Sequence, residues 1–419
     1  MEEENYAGSV KGTILVSHSG KQYVHRVVQG LLSNRWRVIF CAPIWFQRLP
    51  FWLPWLPSWI KQKLTIELKK RLFSFKGSME LVTWPLIAIR KEIEERIPSI
   101  GISGAQLKLE KRQDDFTVKQ LKRCKPEIVL GYEISSMKTF RVARSRNIIT
   151  VLDLAQIHYQ DVLEIAQSFP EMSYILKNPY LAEINSRKQT EYELADFIIT
   201  LSSFASKSMI NRGIPSEKVY EINLGFDLEV FTPKIEYSSS KELRLLICGT
   251  DMWRKGLGLL IQVVKQMELD GYNLKLTIVG PTIEIYKIIR QHGRPSNTEI
   301  YDFMSHDELV KKYQQADVFV FPSYLDSWAM TVLEAMACGT PVIITENIGS
   351  KDAVIKGGGK VIPSGDKNVL KNAIAFFYNQ REEVEASGKK AREIALQYTW
   401  ENYNRQIEEV MKDIQRKSE

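Results

Sequence analysis

Short, predominantly apolar blocks recur along this chain. Between them lie longer stretches in which apolar positions return every three or four residues. The blocks Thr13-Ile-Leu-Val-Ser-His18, Trp36–Ala42, Ile128-Val-Leu130, Ile148–Leu154 and Phe197–Ser202 are rich in branched side chains and too short for buried helices. They read as strands covered on both faces, as in a parallel sheet. The intervals read as helices, one reaching about Ser33 and another spanning 177–195. Val219–Asn223 closes this series, and the polar stretch Lys234–Lys241, with three consecutive serines, reads as a linker. A second series runs through Leu243–Gly249, Leu274–Val279, Thr298–Tyr301, Val318–Phe321, Val342–Thr345 and Gly359–Ile362. The tail, Ala391–Lys417, reads as charged helix broken near Tyr398-Thr-Trp-Glu401. This grammar predicts an α/β protein of two Rossmann-like, doubly wound domains facing across a cleft. A length of 419 residues suits two domains.

Composition changes this picture little. The apolar fraction of 44% and charged fraction of 26% are those of a globular protein. A net charge of +7 is compatible with an anionic ligand or membrane surface and demands neither. Cys41, Cys124, Cys248 and Cys338 are far apart with no CxxC pair, so they read as reduced thiols, not a disulfide frame or zinc site. The basic residues form no nucleic-acid-binding module, and nucleic acid is not an expected partner. The start, Met-Glu-Glu-Glu, does not read as a signal peptide, and no apolar run is long enough to span a bilayer. The expected location is cytoplasmic, with any membrane contact peripheral.

Residues 43–76 stand apart. Trp45, Phe46, Phe51, Trp52, Trp55 and Trp59 alternate with Pro43, Pro50, Pro54 and Pro57, and Lys61, Lys63, Lys69, Lys70, Arg71 and Lys76 follow. The prolines exclude one continuous helix through Trp45–Trp59. Two readings stand: an aromatic and basic surface that meets an anionic lipid interface, or a Trp-rich insertion packed on its own domain.

The chemistry concentrates in Asp326-Ser-Trp-Ala-Met-Thr-Val-Leu-Glu334, between two expected strands. Thr331 and the amides of Ala329 and Met330 would sit at a helix N-terminus, where a phosphate is favoured. Asp326 precedes the helix, free to accept hydrogen bonds from sugar hydroxyls. Glu334 lies inside it among apolar neighbours, so it needs hydrogen-bond donors. Arg254-Lys255-Gly256 follows the first strand of the second series, two cations beside a glycine that opens a helix, and suits a diphosphate.

Several segments together resemble the retaining glycosyltransferases of family 4, which have the GT-B fold: Leu224-Gly-Phe-Asp with Phe231-Thr-Pro, Arg254-Lys-Gly, Val279-Gly, Leu309 with Tyr313-Gln-Gln-Ala-Asp-Val, Phe321-Pro-Ser, and Asp326 with Glu334-Ala-Met-Ala-Cys-Gly-Thr-Pro-Val. They keep the family's order and spacing over residues 195–365. The resemblance implies that Lys255, with Arg254, binds the donor diphosphate and stabilises it on departure. It implies that Glu334 holds the nucleotide ribose and that Asp326, followed by Ser327, Trp328, Ala329, Met330 and Thr331, positions donor sugar and phosphate. Gly20 would lie against donor or acceptor from the first domain.

Some positions depart from the family pattern. Asp326 stands where the family usually has Glu, Ser327 and Ala329 stand where it usually has Gly, and Thr250 replaces a frequent Arg. The N-domain histidine that commonly faces the donor sugar is missing from Val151-Leu-Asp-Leu154, leaving His158 as the substitute, with Asp153 near the same cleft.

The resulting expectation is an acceptor-binding domain at 1–235, a nucleotide-sugar-binding domain at 236–399, and a helix at about 400–419 crossing back onto the first. The implied activity is retaining transfer of a sugar from a nucleotide sugar to a glycan or lipid-linked acceptor, in cell-surface polysaccharide or glycolipid synthesis. No metal or other cofactor is implied. The alternative is a degenerate GT-B protein that binds glycans or partners without transfer.

Overall fold

Both series of apolar blocks form all-parallel sheets in the computed structural model, which describes residues 10–46, 72–77 and 79–418. The first sheet contains β1 (Thr13–Ser17), β2 (Arg37–Ala42), β3 (Met79–Thr83), β4 (Ile128–Tyr132), β5 (Ile149–Leu154), β6 (Phe197–Thr200) and β7 (Val219–Glu221) in the order 3-2-1-4-5-6-7. The second contains β8 (Leu243–Cys248), β9 (Leu274–Val279), β10 (Thr298–Tyr301), β11 (Val318–Phe321), β12 (Val342–Thr345) and β13 (Gly359–Ile362) in the order 10-9-8-11-12-13. Each sheet therefore reverses its winding once, between β1 and β4 and between β8 and β11. Crevices for ligands open at the carboxyl ends of strands flanking such a reversal.

Local chemistry moves some expected boundaries. The strand expected over Phe197–Ser202 stops at Thr200, because Ser202 caps the next helix by accepting from the Ala205 amide at 3.2 Å. The helix expected over 177–195 starts only at Leu181, since Pro179 precedes it. β3 was not anticipated. It is an edge strand of mixed composition (Met-Glu-Leu-Val-Thr) whose burial does not alternate cleanly.

The helix Trp400–Ser418 leaves the second domain and lies along the helix Val24–Ser33 of the first. Tyr403, Ile407, Met411 and Ile414 recur along one of its faces and are all buried. Each contributes about 1.5–3 kcal/mol as an upper estimate. Polar contacts fix the helix register: Asn34 Nδ2 donates to the Asn404 carbonyl at 2.9 Å, and Lys11 pairs with Glu408 at 2.9 Å. At its start, Arg26 binds both oxygens of Asp227 at 2.7 and 2.8 Å while its guanidinium lies 4.7 Å from the Trp400 ring.

All four cysteines are free; three are buried and Cys124 is partly exposed. Most of the Trp-rich stretch, 47–71, lies outside the described residues. Its described ends pack on the first domain: Trp45 is buried, with its ring 5.3 Å from Phe40 and 5.9 Å from Phe75. Among the described residues, no helix is long and apolar enough to cross a membrane.

Candidate functional site

The second winding reversal brings two loops together. The loop after β8 carries Gly249–Gly256 and the loop after β11 carries Pro322–Ala329. Gly256 makes their approach possible. It has φ +74°, and a Cβ there would lie 2.1 Å from the Pro322 carbonyl oxygen. The two loops are then pinned: the Tyr324 amide donates to the Arg254 carbonyl at 2.9 Å, and Arg254 Nη1 donates to the Leu325 carbonyl at 2.7 Å.

This register sets Lys255 directly against Asp326. Their side chains form a buried ion pair, with Lys255 only 6% exposed. Arg254 adds a second cation 3.7 Å from the same carboxylate and is itself held by Asp251 at 2.9 Å. The other carboxylate oxygen of Asp326 accepts from the Ala329 amide at 2.8 Å and the Trp328 amide at 3.1 Å. Burial alone would raise the pKa of Asp326, but Lys255 and Arg254 outweigh it and bring it down to about 2. Burial also lowers the Lys255 pKa, against the opposing pull of Asp326.

The expectation that Asp326 is free for sugar hydroxyls is therefore corrected. Three donors already occupy about three of its four acceptor positions. Its role in this structure is to hold Lys255 and to shape the start of the helix Met330–Ala337. The turn it shapes is strained: Ala329 has φ +62°, a left-handed conformation that an alanine rarely adopts.

Glu334, on that helix, is held by Tyr313 near Cys248 at the end of β8 and does not line the cavity between the domains. It is 7% exposed, and its Oε2 accepts from the Tyr313 hydroxyl at 3.0 Å. The Cys248 thiol lies 3.1 Å from the same hydroxyl. Burial raises the Glu334 pKa to about 7, partly offset by the Tyr313 hydrogen bond. No cation pairs with it in the described contacts. A carboxylate so placed suits a ligand that brings its own hydroxyl donors.

Lys255, Asp326, Trp328, Ala329, Met330 and Thr331 line one open cavity of about 320 Å³ together with Gly249 and Thr250. Across it stand Ala155 and Leu201, which follow β5 and β6 of the first domain, so the cavity lies between the domains. A larger recess of about 460 Å³, around Tyr237 and Arg392, touches none of these residues and has no comparable charge arrangement. We place the candidate site at the interdomain cavity because the buried ion pair and the helix start converge there.

The remaining expected site residues are used differently. Ser327 does not line the cavity; its hydroxyl donates to Gln156 Oε1 at 3.0 Å and its carbonyl accepts from Ser202 Oγ at 2.8 Å, joining the domains. His158 is buried, and its Nδ1 caps the following helix by accepting from the Gln160 amide at 3.2 Å, with Tyr159 and Tyr192 packed on the ring. Asp153 is buried below the cleft and accepts from the Tyr23 hydroxyl at 2.6 Å. Gly20 lies on the loop after β1, where its amide donates to His18 Nδ1 at 2.7 Å, and it does not line this cavity. Tyr313, Ala155 and Leu201 were not singled out from sequence. Tyr313 lay within a matched segment, but nothing in its spacing shows that it reaches Glu334.

Comparison with known proteins bears on this geometry. Residues 232–394, which supply the whole charged half of the site, match the model of the family described as glycosyl transferases group 1. The chain is 24% identical over 246 residues to the putative colanic acid biosynthesis glycosyltransferase WcaL of Salmonella typhimurium. This match covers 56% of the chain and 61% of the relative, less than two thirds of its length. Among solved structures, sucrose-phosphate synthase from Thermosynechococcus elongatus matches with TM-score 0.65 and 17% identity, covering 96% of this chain and 98% of the other. Anabaena HepE in complex with UDP-glucose matches with TM-score 0.61 and 14% identity, covering 96% and 100%. These likenesses establish the GT-B fold. Within it, the segment matching that family model contributes every charged residue of the cavity, and the first domain contributes the apolar wall.

Proposed function

We propose that the protein is a retaining glycosyltransferase that binds a nucleotide sugar in the interdomain cavity and transfers the sugar to a hydroxyl of a glycan or lipid-linked acceptor. The observation that carries this reading is the pairing of Lys255 with Asp326 at the start of the helix Met330–Ala337. A diphosphate entering there meets a buried ammonium and the first turn of a helix, both favourable to negative charge. Binding lets Lys255 exchange Asp326 for phosphate oxygens, while the Trp328 and Ala329 amides keep hold of Asp326. Glu334 takes the ribose hydroxyls.

Bond cleavage leaves negative charge on the departing diphosphate. Lys255 and Arg254 stabilise that charge, so positioning and electrostatics supply the rate. With two cations in this position, the reaction needs no divalent metal. The acceptor enters from the first domain, past Ala155 and Leu201. The name of the relative in colanic acid synthesis supports a cell-surface polysaccharide or glycolipid as product.

Incubation with a panel of nucleotide sugars and candidate acceptors tests this reading, with the product's anomeric configuration read by NMR. Retention, with turnover that survives a chelator, is the expected result. An inverted product refutes the stereochemical part, strict dependence on added metal refutes the electrostatic part, and release of free sugar alone points to hydrolysis.

A further inference from the structure

The helix Pro85–Glu94, which follows edge strand β3, packs on the long helix Gly101–Cys124. Its inward face carries the fully buried Ile87. Its outward face is unusual. Leu86 is 61% exposed, Ile89 51%, Ile93 58%, and the adjoining Ile97 40%. The turn continues through Ile97, whose amide donates to the Glu94 carbonyl at 3.1 Å. At about 100° per residue Leu86, Ile89 and Ile93 fall within an arc of about 60°, and Ile97 follows in the turn beyond the helix. Ile102, at the start of the next helix, is 73% exposed. Scattered exposed apolar residues are ordinary, whereas a contiguous aliphatic stripe marks a surface that is covered in use.

The charges around the stripe say what covers it. Arg90 and Arg96 are both exposed: helical spacing sets Arg90 on one border of the stripe, and Arg96 lies in the turn that follows the helix. The acids lie further round and are largely neutralised. Glu94 is bound by Arg112 at 2.6 and 2.8 Å, and Glu95 by Lys91 at 2.7 Å. Glu92 is exposed beside Lys91 at 3.6 Å. The stripe contains neither tyrosine nor tryptophan, the residues that anchor most protein interfaces. Aliphatic side chains with exposed arginines beside them match a bilayer surface, where the apolar row enters the acyl boundary and the guanidinium groups reach anionic headgroups.

We propose that the Leu86–Ile102 stripe is a membrane-docking surface that seats the first domain on an anionic bilayer. The stripe lies beyond the carboxyl end of β3, the side of the sheet on which the cleft opens. This deepens the functional reading above, since it places the acceptor side of the cleft near lipid. It rests on that reading only for the identity of the acceptor.

Flotation of the full chain with phosphatidylcholine vesicles containing phosphatidylglycerol, against vesicles of phosphatidylcholine alone, tests the proposal. Wild type is expected to float with the anionic vesicles. I89S/I93S is expected to lower the partition coefficient at least about tenfold. R90Q/R96Q is expected to reduce binding to anionic vesicles while leaving the weaker binding to neutral ones unchanged. Circular dichroism and nucleotide-sugar binding should match wild type in both variants, which confirms folding and keeps the donor-site reading separate. Failure of wild type to float overturns the proposal. So does flotation unchanged in I89S/I93S, which would assign lipid contact to another surface. Self-association in sedimentation that I89S/I93S abolishes, without vesicle binding, would show the stripe to be a contact between copies.

Discussion

Glu334 combines a demand for hydrogen-bond donors with a pKa that burial raises to about 7, and this makes nucleotide-sugar affinity depend on pH. The ribose hydroxyls donate to the carboxylate, so binding favours its ionised form. Below about pH 7 the free protein holds a proton on Glu334 that binding must expel. Affinity then falls as pH drops, up to about tenfold per unit. The same shift is a stability term. Taking 4.5 as the ordinary value, the raised pKa favours the folded state below about pH 4.5, and that contribution is lost as pH rises to about 7. Roughly 2.5 units correspond to about 3 kcal/mol as an upper bound. Glu334→Gln keeps the shape and removes the titration. It should stabilise the ligand-free protein at pH 8 by about 1–3 kcal/mol, weaken nucleotide-sugar binding there by at least about tenfold, and flatten the pH dependence. Calorimetry in buffers of different ionisation enthalpy reads both the affinity and the proton released; a nucleotide sugar has no titrating phosphate in this range to confuse the count. Equal affinity at pH 6 and pH 8, or proton uptake on binding, would refute the assignment of Glu334 to the ribose.

Other outcomes follow from single contacts. Tyr313→Phe removes the hydroxyl that partly offsets burial at Glu334, so the pH midpoint for binding should move upward, as a pH series of dissociation constants would show. Gly256→Ala forces a Cβ to within 2.1 Å of the Pro322 carbonyl oxygen in a left-handed residue, and should destabilise the second domain by at least about 2 kcal/mol in urea unfolding. Ser327→Ala removes a contact between domains and not a ligand contact, so its effect on donor affinity should stay within about threefold in titration calorimetry.

The second domain was legible because its central strands are short, mostly apolar runs with a turn signal behind them, and its loops carry clustered charges. The fold class followed from that pattern, and the convergence of Lys255 with the Asp326 segment from the resemblance to the family. What the side chains do once there was less visible. Asp326 looked unoccupied because its partners, Lys255 and two amides, are fixed only when two loops meet. His158 looked available because a histidine that caps a helix through Nδ1 has no sequence mark distinct from a catalytic one. Ser327 reads as a replaced glycine in sequence and proves to be a tie between the domains. The apolar wall of Ala155 and Leu201 carried no signal, since small and aliphatic residues at strand ends are common.

The central claim is that Lys255 receives the diphosphate of a nucleotide sugar at the start of the helix Met330–Ala337. Titration calorimetry of nucleotide sugars against wild type and Lys255→Ala tests it most directly. The account predicts that wild type binds at least one nucleotide sugar and that the folded variant loses at least about tenfold in affinity. Binding of the same strength in both proteins would contradict it.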